Sequence, residues 1–291
     1  MRDLRGKVAV VTGGAGGIGR ALGERCAAEG MRVVLADVEQ PVLDATVASL
    51  RAAGHDVSGV VTDVADPASV ERLRDEVLDR HGAVHLLCNN AGVGAGANGR
   101  LWEHDLNDWR WALGVNVWGV VHGIRAFVPA MVAGGEEGHV VNTSSGNGGV
   151  SPLAGTPIYA VTKSAVVTLT ECLYAQLRAD TGDRVGASVL FPGPHMLRTG
   201  LFSSWRNRPD ALASPTARRG SIEAFEQRMA DAGVSVTYTP VEEVADQVVA
   251  AVRDRTFWIL PAGGRSDEQI TARAGSMLAR TNPTYITDVT G

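Results

Sequence analysis

Short apolar runs alternate with longer amphipathic segments along most of this 291-residue chain, and this alternation limits the fold more than any other feature. Short apolar runs are typical of the buried strands of a parallel sheet, and the amphipathic segments predict connecting helices. The predicted strands are residues 7–12, 32–37, 57–61, 84–88, 139–143, 184–191 and 256–260. The predicted helices are residues 17–29, 41–53, 66–81, 107–132 with a break near 114, 157–179, 241–253 and 267–280. This order predicts an α/β fold with helices on both faces of a parallel sheet.

The alternation weakens only between residues 192 and 239, where proline, arginine, serine and methionine are frequent. No internal repeat, low-complexity segment or linker separates one part of the chain from another. We therefore expect residues 1–291 to form a single domain. Within it we expect a substrate lid at about 194–239 and a C-terminal extension at about 261–291.

Composition and charge favour a cytoplasmic protein that binds small molecules. The formal net charge is −5 and no basic run is present, which argues against binding of nucleic acid or a membrane surface. The first apolar run has six residues, too short for a signal peptide or a membrane span, and we expect no later stretch of span length. Cys26, Cys88 and Cys172 are scattered, as expected of buried thiols in a reducing compartment. The histidines show no metal-ligand spacing, so no metal site is predicted.

The segment TGGAGGIG at residues 12–19 ends the first predicted strand and begins the first predicted helix. Glycines let the backbone turn sharply and approach a ligand, and a helix N-terminus offers unpaired N–H groups to a pyrophosphate. An acidic residue, Asp37, ends the second strand at about the spacing of a dinucleotide-binding site. The loop residues expected at the cofactor are Gly13, Gly16, Gly17, Ile18 and Gly19, and Asp37 and Val38 are expected there as well.

Asp37 also bears on which nucleotide is bound. A carboxylate accepts hydrogen bonds from ribose hydroxyls but repels the 2′-phosphate of NADP, by ~4 kcal/mol at ~4 Å and an effective dielectric of ~20. The residue after Asp37 is Val38, not arginine, and the glycine loop contains no arginine before Gly19. NAD is therefore predicted over NADP. The alternative interpretation of Asp37 is that it caps the next helix or faces solvent.

Further motifs follow the glycine loop in a fixed order. They are Asp63-Val64, NNAG at 89–92, Asn116 within GVNVWG, NTSS at 142–145, YAVTK at 159–163 and PG at 192–193. With this ordered set, the chain resembles the short-chain dehydrogenase/reductase family. The resemblance implies one Rossmann-like, doubly wound domain with a seven-stranded parallel sheet.

The resemblance also implies further cofactor contacts. Asp63 and Val64 are expected beside the adenine, and the segment after the sixth strand beside the nicotinamide. The remaining positions implied for cofactor contact are Asn90, Ala91, Gly92, Tyr159, Lys163, Pro192, Gly193 and Thr199. Asparagine and glycine also favour plain turns after strands, but ligands of open α/β sheets bind at the carboxyl ends of strands.

Tyr159 and Lys163 lie one helical turn apart in a helix that Pro157 suits as a first residue. A free tyrosine has a pKa of about 10. The Lys163 ammonium and the positive nicotinamide ring would favour the phenolate, and we expect the two cations to lower the pKa to about 7. Tyr159 would then act as the acid and base of an alcohol–ketone reaction. By itself the YxxxK spacing also fits an ordinary surface helix.

The family resemblance implies a catalytic serine and a catalytic asparagine as well. The family interval from serine to tyrosine is thirteen residues, whereas Ser145 precedes Tyr159 by fourteen and Ser144 by fifteen. We favour Ser145 because it is nearer to the family interval, with Ser144 as the alternative. Since neighbouring strand residues face opposite ways, only one of the two can point into the site. The intervening glycine- and proline-rich segment is expected to loop out one residue. Asn116 resembles the family asparagine that holds a water linking the lysine to solvent.

The expected substrate is a bulky hydrophobic secondary alcohol or its ketone. The predicted lid carries an apolar set, namely Met196, Leu197, Leu201, Phe202 and Trp205. The small-residue loop at 95–98 is expected to border the pocket, and His195 is expected to be structural or exposed rather than catalytic. Family members pair through the helices of Asn116 and Tyr159, which implies a dimer or tetramer. The candidate surface residues, which would equally suit the sheet-facing core, are Trp118, Val120, Val121, Val166, Val167 and Leu169.

Two other functions stay open on the sequence alone. One is an NADPH-dependent ketoreductase of a biosynthetic pathway. The other is a nucleotide-sensing binding protein without catalysis, although the chain keeps both the tyrosine and the lysine that such relatives often lack.

Overall fold

A computed structural model describes residues 1–95, 99–217 and 219–286 of the chain. Its centre is a seven-stranded sheet in which every pair of neighbouring strands is parallel. The strands are β1 (Val8–Thr12), β2 (Arg32–Asp37), β3 (Val57–Val61), β4 (Leu86–Asn89), β5 (Gly138–Thr143), β6 (Val185–Leu190) and β7 (Trp258–Ile259). Their order is β3-β2-β1-β4-β5-β6-β7. The predicted α/β architecture is confirmed.

The helices follow the predicted alternation. They are α1 (Gly17–Ala28), α2 (Gln40–Ala52), α3 (Pro67–His81), α4 (Leu106–Leu113), α5 (Gly119–Ala133), α6 (Pro157–Thr181), α7 (Ile222–Asp231), α8 (Val241–Asp254) and α9 (Gly264–Ala279). The start and end of α3 illustrate the local signals. Its N-cap Asp66 accepts a hydrogen bond from the Ala68 N–H, Pro67 begins the helix, and Gly82 ends it in the left-handed conformation.

Two apolar layers cover the two faces of the sheet. On one face, Leu22, Leu43 and Val248 of α1, α2 and α8 pack against the strands. On the other face, α3, α5 and α6 contribute Leu73 and Phe127 among others. Burial of both faces explains why the strands are nearly continuous apolar runs.

The order of the strands fixes where a ligand can bind. β1 lies between β2 and β4, so the chain runs outward to β3 on one side and, after a crossover, to β7 on the other. A crevice opens at such a switch point, outside the carboxyl ends of the strands. The glycine loop follows β1, and the NNAG segment follows β4, so both lie at this crevice.

One continuous helix of 28 residues, Leu106–Ala133, corrects the expectation that no stretch has the length and apolar composition of a membrane span. It comprises α4, a π-helical turn at Gly114–Trp118, and α5. Its buried side includes Trp111, Asn116 and Phe127, which pack into the protein. Trp111 and Phe127 belong to two of the buried apolar clusters, which explains the apolar composition of the helix.

Two smaller expectations also need correction. The weakly patterned segment contains a 3₁₀-helix at Gly200–Asn207 and the helix α7, where no helix was predicted. The sequence does not predict these short helices because nearly all of their side chains are partly or fully exposed, so no apolar period marks them. Cys26 and Cys88 are buried as expected, but Cys172 is exposed on the outer side of α6. Its neighbour Leu173 faces the core instead.

Candidate active site

The glycine loop forms an open cradle at the N-terminus of α1. Gly16 is the N-cap and supplies no side chain, and the first turn contains no acidic residue. A Cβ on Gly19 would lie 2.0 Å from the Gly13 oxygen, so only glycine permits this turn. A Cβ on Gly16, in contrast, would meet nothing within 4 Å. The helix N-terminus at Gly16 therefore has open space beside it, and the cradle fits the pyrophosphate of a dinucleotide.

Asp37 lies at the carboxyl end of β2 and supports the same loop. One carboxylate oxygen accepts a hydrogen bond from the Ala15 N–H at 3.0 Å, and the other accepts from the Glu39 N–H at 3.1 Å. A carboxylate has about four lone-pair sites, so acceptor capacity is left for ribose hydroxyls. Ile18 is partly buried against the core, and Val38 is exposed.

Thr12, which the sequence analysis did not single out, organises the NNAG segment. Its hydroxyl oxygen accepts from the N–H groups of Asn90 and Ala91, at 3.0 and 3.1 Å. The Asn90 side chain donates to the Thr12 carbonyl at 3.0 Å. A polar residue at the carboxyl end of a buried strand was the available signal. The result is a close contact between the glycine loop and the segment after β4.

Of the two residues expected beside the adenine, Asp63 and Val64, one is exposed and the other is buried. Asp63 is exposed, and its carboxylate accepts from the Ala65 N–H at 2.9 Å. Val64 is buried against Gly119 of α5, whose Cβ would lie 2.9 Å from the valine side chain. Both residues follow β3 at the same edge of the sheet as Asp37.

The segment after β6 brings Thr199 onto the glycine loop. Pro192 and Gly193 directly follow the strand region, and a Cβ on Gly17 would lie 3.2 Å from the Thr199 side chain. Thr199 also caps the following 3₁₀-helix. His195 is exposed. The expected loop residues 96–98 lie outside the described part of the chain.

Tyr159 and Lys163 lie one turn apart near the start of α6, as predicted. The Lys163 Nζ is 5.7 Å from the centroid of the Tyr159 ring and donates to the Thr143 carbonyl at 2.9 Å. Burial lowers the pKa of Lys163 to about 8. A Cβ on Gly92 would lie 3.5 Å from this Nζ, so the ammonium also borders the NNAG segment. Lys163, near the start of α6, thus lies close to the carboxyl end of β5 and to the segment after β4.

The expected lowering of the Tyr159 pKa depends on the positive nicotinamide ring as well as on Lys163, and it stays a prediction. Burial raises the pKa of Tyr159 to about 12, and a hydrogen bond with the Ser145 hydroxyl acts in the opposite direction. The reason is physical: removing water from a phenolate costs more than the neighbouring groups return. With the chain's own groups alone, the phenol stays protonated at neutral pH, and further positive charge is required to favour the phenolate.

The two serines after β5 have different partners. Ser144 is buried, and its hydroxyl donates to the Lys163 carbonyl at 2.8 Å. Ser145 is partly exposed, and its hydroxyl forms the hydrogen bond with the Tyr159 phenol. The Asn147 N–H donates to the Ser145 oxygen at 3.2 Å, which leaves the serine proton free to be donated. This geometry favours Ser145 as the residue facing the reaction.

The loop after Ser145 accommodates the extra residue in the serine–tyrosine interval. Residues Gly146–Val150 form a widened, π-type turn in which Gly148 has a φ of 96°. The Asn147 side chain fastens the loop by donating to Thr156 at 2.7 Å and accepting from the Leu153 N–H at 3.0 Å. Nothing in the sequence beyond the loop composition marked Asn147 for this role.

Asn116 is fully buried within the π-helical turn. Its side chain accepts from the Val93 N–H at 2.8 Å and donates to the Val93 carbonyl and the Thr162 hydroxyl, both at 3.0 Å. Thr162 in turn donates to the Tyr159 carbonyl at 2.8 Å. Asn116 therefore fixes α6 to the segment after β4, and the water-holding role implied for it stays a prediction.

Comparison with known proteins agrees with this site. The family model described as short chain dehydrogenase matches residues 7–209. That match covers more than half of the chain, and the chain belongs to the short-chain dehydrogenase/reductase family. It is accordingly an oxidoreductase of the alcohol–ketone type that uses a nicotinamide cofactor.

Three similar proteins illustrate the range of this family. A short chain dehydrogenase/reductase from Burkholderia phymatum, solved in complex with NAD, is 43% identical, covers 98% of both chains and has a TM-score of 0.87. A metagenomic short-chain oxidoreductase, solved with NADP, is 28% identical, covers 89% of this chain and 98% of its own, and has a TM-score of 0.68. A 1-deoxy-11-beta-hydroxypentalenate dehydrogenase from Streptomyces avermitilis is 42% identical over 65% of this chain and 69% of its own.

Proposed function

We propose that this protein is an NAD-dependent oxidoreductase that interconverts a bulky hydrophobic secondary alcohol and its ketone, with Tyr159 as acid and base. One observation carries the proposal. The Ser145 hydroxyl and the Lys163 ammonium flank the Tyr159 phenol at the same edge of the sheet as the glycine cradle. An acid/base group beside a hydride-acceptor site is the arrangement that alcohol oxidation requires.

The residues of the crevice fit a nicotinamide dinucleotide. The cradle at Gly16 would hold the pyrophosphate, Asp37 the adenosine ribose, and Lys163 the nicotinamide ribose. When bound, the oxidised cofactor supplies the hydride acceptor and a positively charged ring.

The proton chemistry belongs to the chain's own side chains. Lowering a phenol pKa from about 12 to near 7 requires about 7 kcal/mol of differential stabilisation. The value of about 12 already includes the hydrogen bond with Ser145. The stabilisation therefore has to come from positive charge in a poorly solvated crevice, namely the Lys163 ammonium, 5.7 Å from the ring centroid, and the ring of the bound cofactor. Tyr159 then accepts the alcohol proton as the carbon is oxidised, and returns it to the oxygen in the reverse reaction. Ser145 donates a hydrogen bond to the substrate oxygen as negative charge develops there.

The choice of NAD over NADP rests on Asp37. Its carboxylate is held at the end of β2 by two backbone N–H groups, so it does not turn away easily from a 2′-phosphate. The complex of the B. phymatum relative with NAD supports this choice, and the NADP complex of the metagenomic relative shows that the family uses both cofactors.

Apolar residues that cluster around Ile158, the neighbour of Tyr159 in the chain, support a hydrophobic substrate. Val93, Trp111 and Ile158 form an apolar cluster beside Tyr159. Leu201 lies against Gly94, which follows Val93 in the chain. The S. avermitilis relative, by its name, acts on a hydroxylated pentalenate. A bulky, largely apolar alcohol is therefore the proposed substrate class.

We also propose a cytoplasmic homo-oligomer, either a dimer or a tetramer. Trp118 is 56% exposed and Val161 is 47% exposed, on the helices through which relatives are expected to pair. Val120 and Val166 are buried within the subunit, so of the residues first considered these two belong to the core.

The test is a screen of NAD⁺ and NADP⁺ reduction against a panel of bulky secondary alcohols. We expect turnover with NAD⁺ at a kcat/KM at least about tenfold above that with NADP⁺, given that ~1.4 kcal/mol already corresponds to tenfold. A clear NADP⁺ preference would instead favour a ketoreductase. Tight NADH binding without turnover of any member of the panel in either direction would favour a nucleotide sensor.

A further inference from the structure

The 3₁₀-helix Gly200–Asn207, which we call the lid helix, touches three separate elements at the edge of the sheet. At its start, Thr199 lies on the glycine loop at Gly17. In its middle, the Ser204 hydroxyl accepts from the Gly94 N–H at 3.0 Å, in the segment after β4. At its end it reaches the segment after β2, where it meets Glu39. The lid helix therefore spans the crevice that the dinucleotide would occupy.

The contact with Glu39 is a forked ion pair. The Arg206 Nε donates to one carboxylate oxygen at 3.0 Å, and its Nη2 donates to the other. The Asn207 side chain adds a third hydrogen bond to Glu39 at 2.8 Å. The hydrogen bond from Arg206 is the main reason that the pKa of Glu39 lies below its ordinary value. Forked arginine–carboxylate pairs fix geometry as well as adding energy.

Arg206 also ties the lid helix to itself. Its Nη1 donates to the Gly200 carbonyl at 3.2 Å and to the Ser203 carbonyl at 2.9 Å. One guanidinium thus holds the first turn of the lid helix and, through Glu39, the end of β2. Loss of this one group would release both contacts together.

Glu39 is coupled to the proposed ribose-binding carboxylate. The Glu39 N–H donates to Asp37, and the other oxygen of Asp37 accepts from the glycine loop at Ala15. The turn that would hold the adenosine ribose is therefore the turn to which the lid helix is fastened. A dinucleotide in the crevice would lie beneath the lid helix, which is fixed at both of its ends.

We propose that Glu39 and Arg206 form a latch that positions the lid helix across the crevice and retains bound NAD(H). The proposal rests on the proposed function, because it assumes that the dinucleotide occupies this crevice. Neither residue takes part in proton transfer, so both are positioning residues. The side chains are 23% and 39% exposed, and the latch is therefore expected to weaken at high salt.

The experiment measures NADH dissociation by stopped-flow fluorescence in Glu39→Gln, Arg206→Met and the double variant. We expect each single variant to release NADH about tenfold faster at an unchanged melting temperature, and the double variant to be no faster than the singles. The charge-swapped pair Glu39→Arg with Arg206→Glu should recover most of the retention. The control is Arg198→Met, which removes the pair with Glu226 in the same segment and should leave release unchanged.

The outcomes separate the latch from the proposed function. Wild-type release rates in both single variants, or effects that add in the double variant, would overturn the latch while leaving the enzyme intact. Faster, non-additive release without turnover of any alcohol would support the latch and overturn the proposed substrate class. A wild-type protein that does not bind NADH would overturn both.

Discussion

At the scale of single residues, two adjacent serines have opposite environments because neighbouring positions after a strand face opposite sides. Ser144 points inward to the carbonyl of Lys163, and Ser145 points to the Tyr159 phenol. The Ser145 hydroxyl has a proton free to donate and lies at the phenol. It is therefore the one able to stabilise a developing alkoxide.

The two serines should therefore respond differently to alanine. Ser145→Ala is expected to lower kcat by about 10²–10³, the effect of losing one donor to a developing oxyanion. Ser144→Ala should instead lower the free energy of unfolding by about 1 kcal/mol and change kcat only a few-fold. Steady-state kinetics and urea denaturation of both variants measure this. The reverse pattern would assign the reaction to Ser144.

At the scale of elements, the widened turn at Gly146–Val150 sets the distance between Ser145 and α6. Gly148 has a positive φ, and a Cβ there would lie 2.1 Å from the Ala160 carbonyl, next to Tyr159. The turn and the first turn of α6 therefore form one packed unit.

Gly148→Ala should disturb this unit, whereas Gly146→Ala should not. We expect Gly148→Ala to lower the free energy of unfolding by at least about 1–3 kcal/mol through backbone strain and the clash with α6. A Cβ on Gly146 meets nothing within 4 Å, so its effect on stability should stay within about 0.5 kcal/mol. Thermal and urea denaturation of the pair test this, and equal stabilities would refute the packing described.

The end of the lid helix is anchored on α4 by a buried ion pair. Arg208 and Asp108 are 2.5 Å apart, with side chains only 8% and 2% exposed. Burial works against ionisation of Asp108, but hydrogen bonds from Thr216 and Arg208 outweigh it and hold the pKa of that carboxyl below its ordinary value. The stabilisation is therefore present above the unfolded pKa and is lost as pH falls through the lower, folded one.

Asp108→Asn is expected to lower the free energy of unfolding by about 3–5 kcal/mol at neutral pH, because it leaves the Arg208 charge buried without its partner. The difference from wild type should shrink as the pH drops below about 4. Urea denaturation of both proteins between neutral pH and low pH measures the difference in the free energy of unfolding and its decrease. Arg198→Met, which breaks an exposed pair, should cost less than about 1 kcal/mol. A pH-independent difference for Asp108→Asn would contradict the assignment.

How much the sequence could reveal differs between elements. Strands β1 to β6 and the helices between them were predictable from local signals. These signals are the spacing of apolar residues and helix-capping residues such as Asp66 and Gly82, which depend only on neighbours in the chain. The roles of Thr12, Asn147 and Arg206 were not, because each depends on contacts with residues distant in the chain or on loop shape. The effect of burial on the pKa of Tyr159 was not predictable for a similar reason, since burial is a property of the assembled fold.

At the scale of the whole molecule, the subunit leaves apolar surface on two neighbouring helices. Trp118 stacks on His122 with ring centroids 5.9 Å apart, yet is more than half exposed. Exposed aromatic residues of this kind are enriched at protein interfaces.

We expect Trp118→Lys to lower the molar mass in solution, because a charge would enter the proposed subunit interface. Light scattering coupled to gel filtration measures the mass directly. Trp102→Lys is the matched control: Trp102 is 78% exposed but lies outside the continuous helix Leu106–Ala133 and outside α6, so its variant should keep the wild-type mass. A monomeric wild-type protein, or an unchanged mass for Trp118→Lys, would contradict the proposed interface.

The central claim is that the Tyr159 phenol moves the substrate proton. The most direct measurement compares NAD⁺ reduction by the wild type and by Tyr159→Phe on an accepted alcohol, with NADH affinity measured in parallel. We predict that the variant binds NADH as the wild type does and loses at least about 10²-fold in kcat. A variant that turns over as fast as the wild type would contradict the claim.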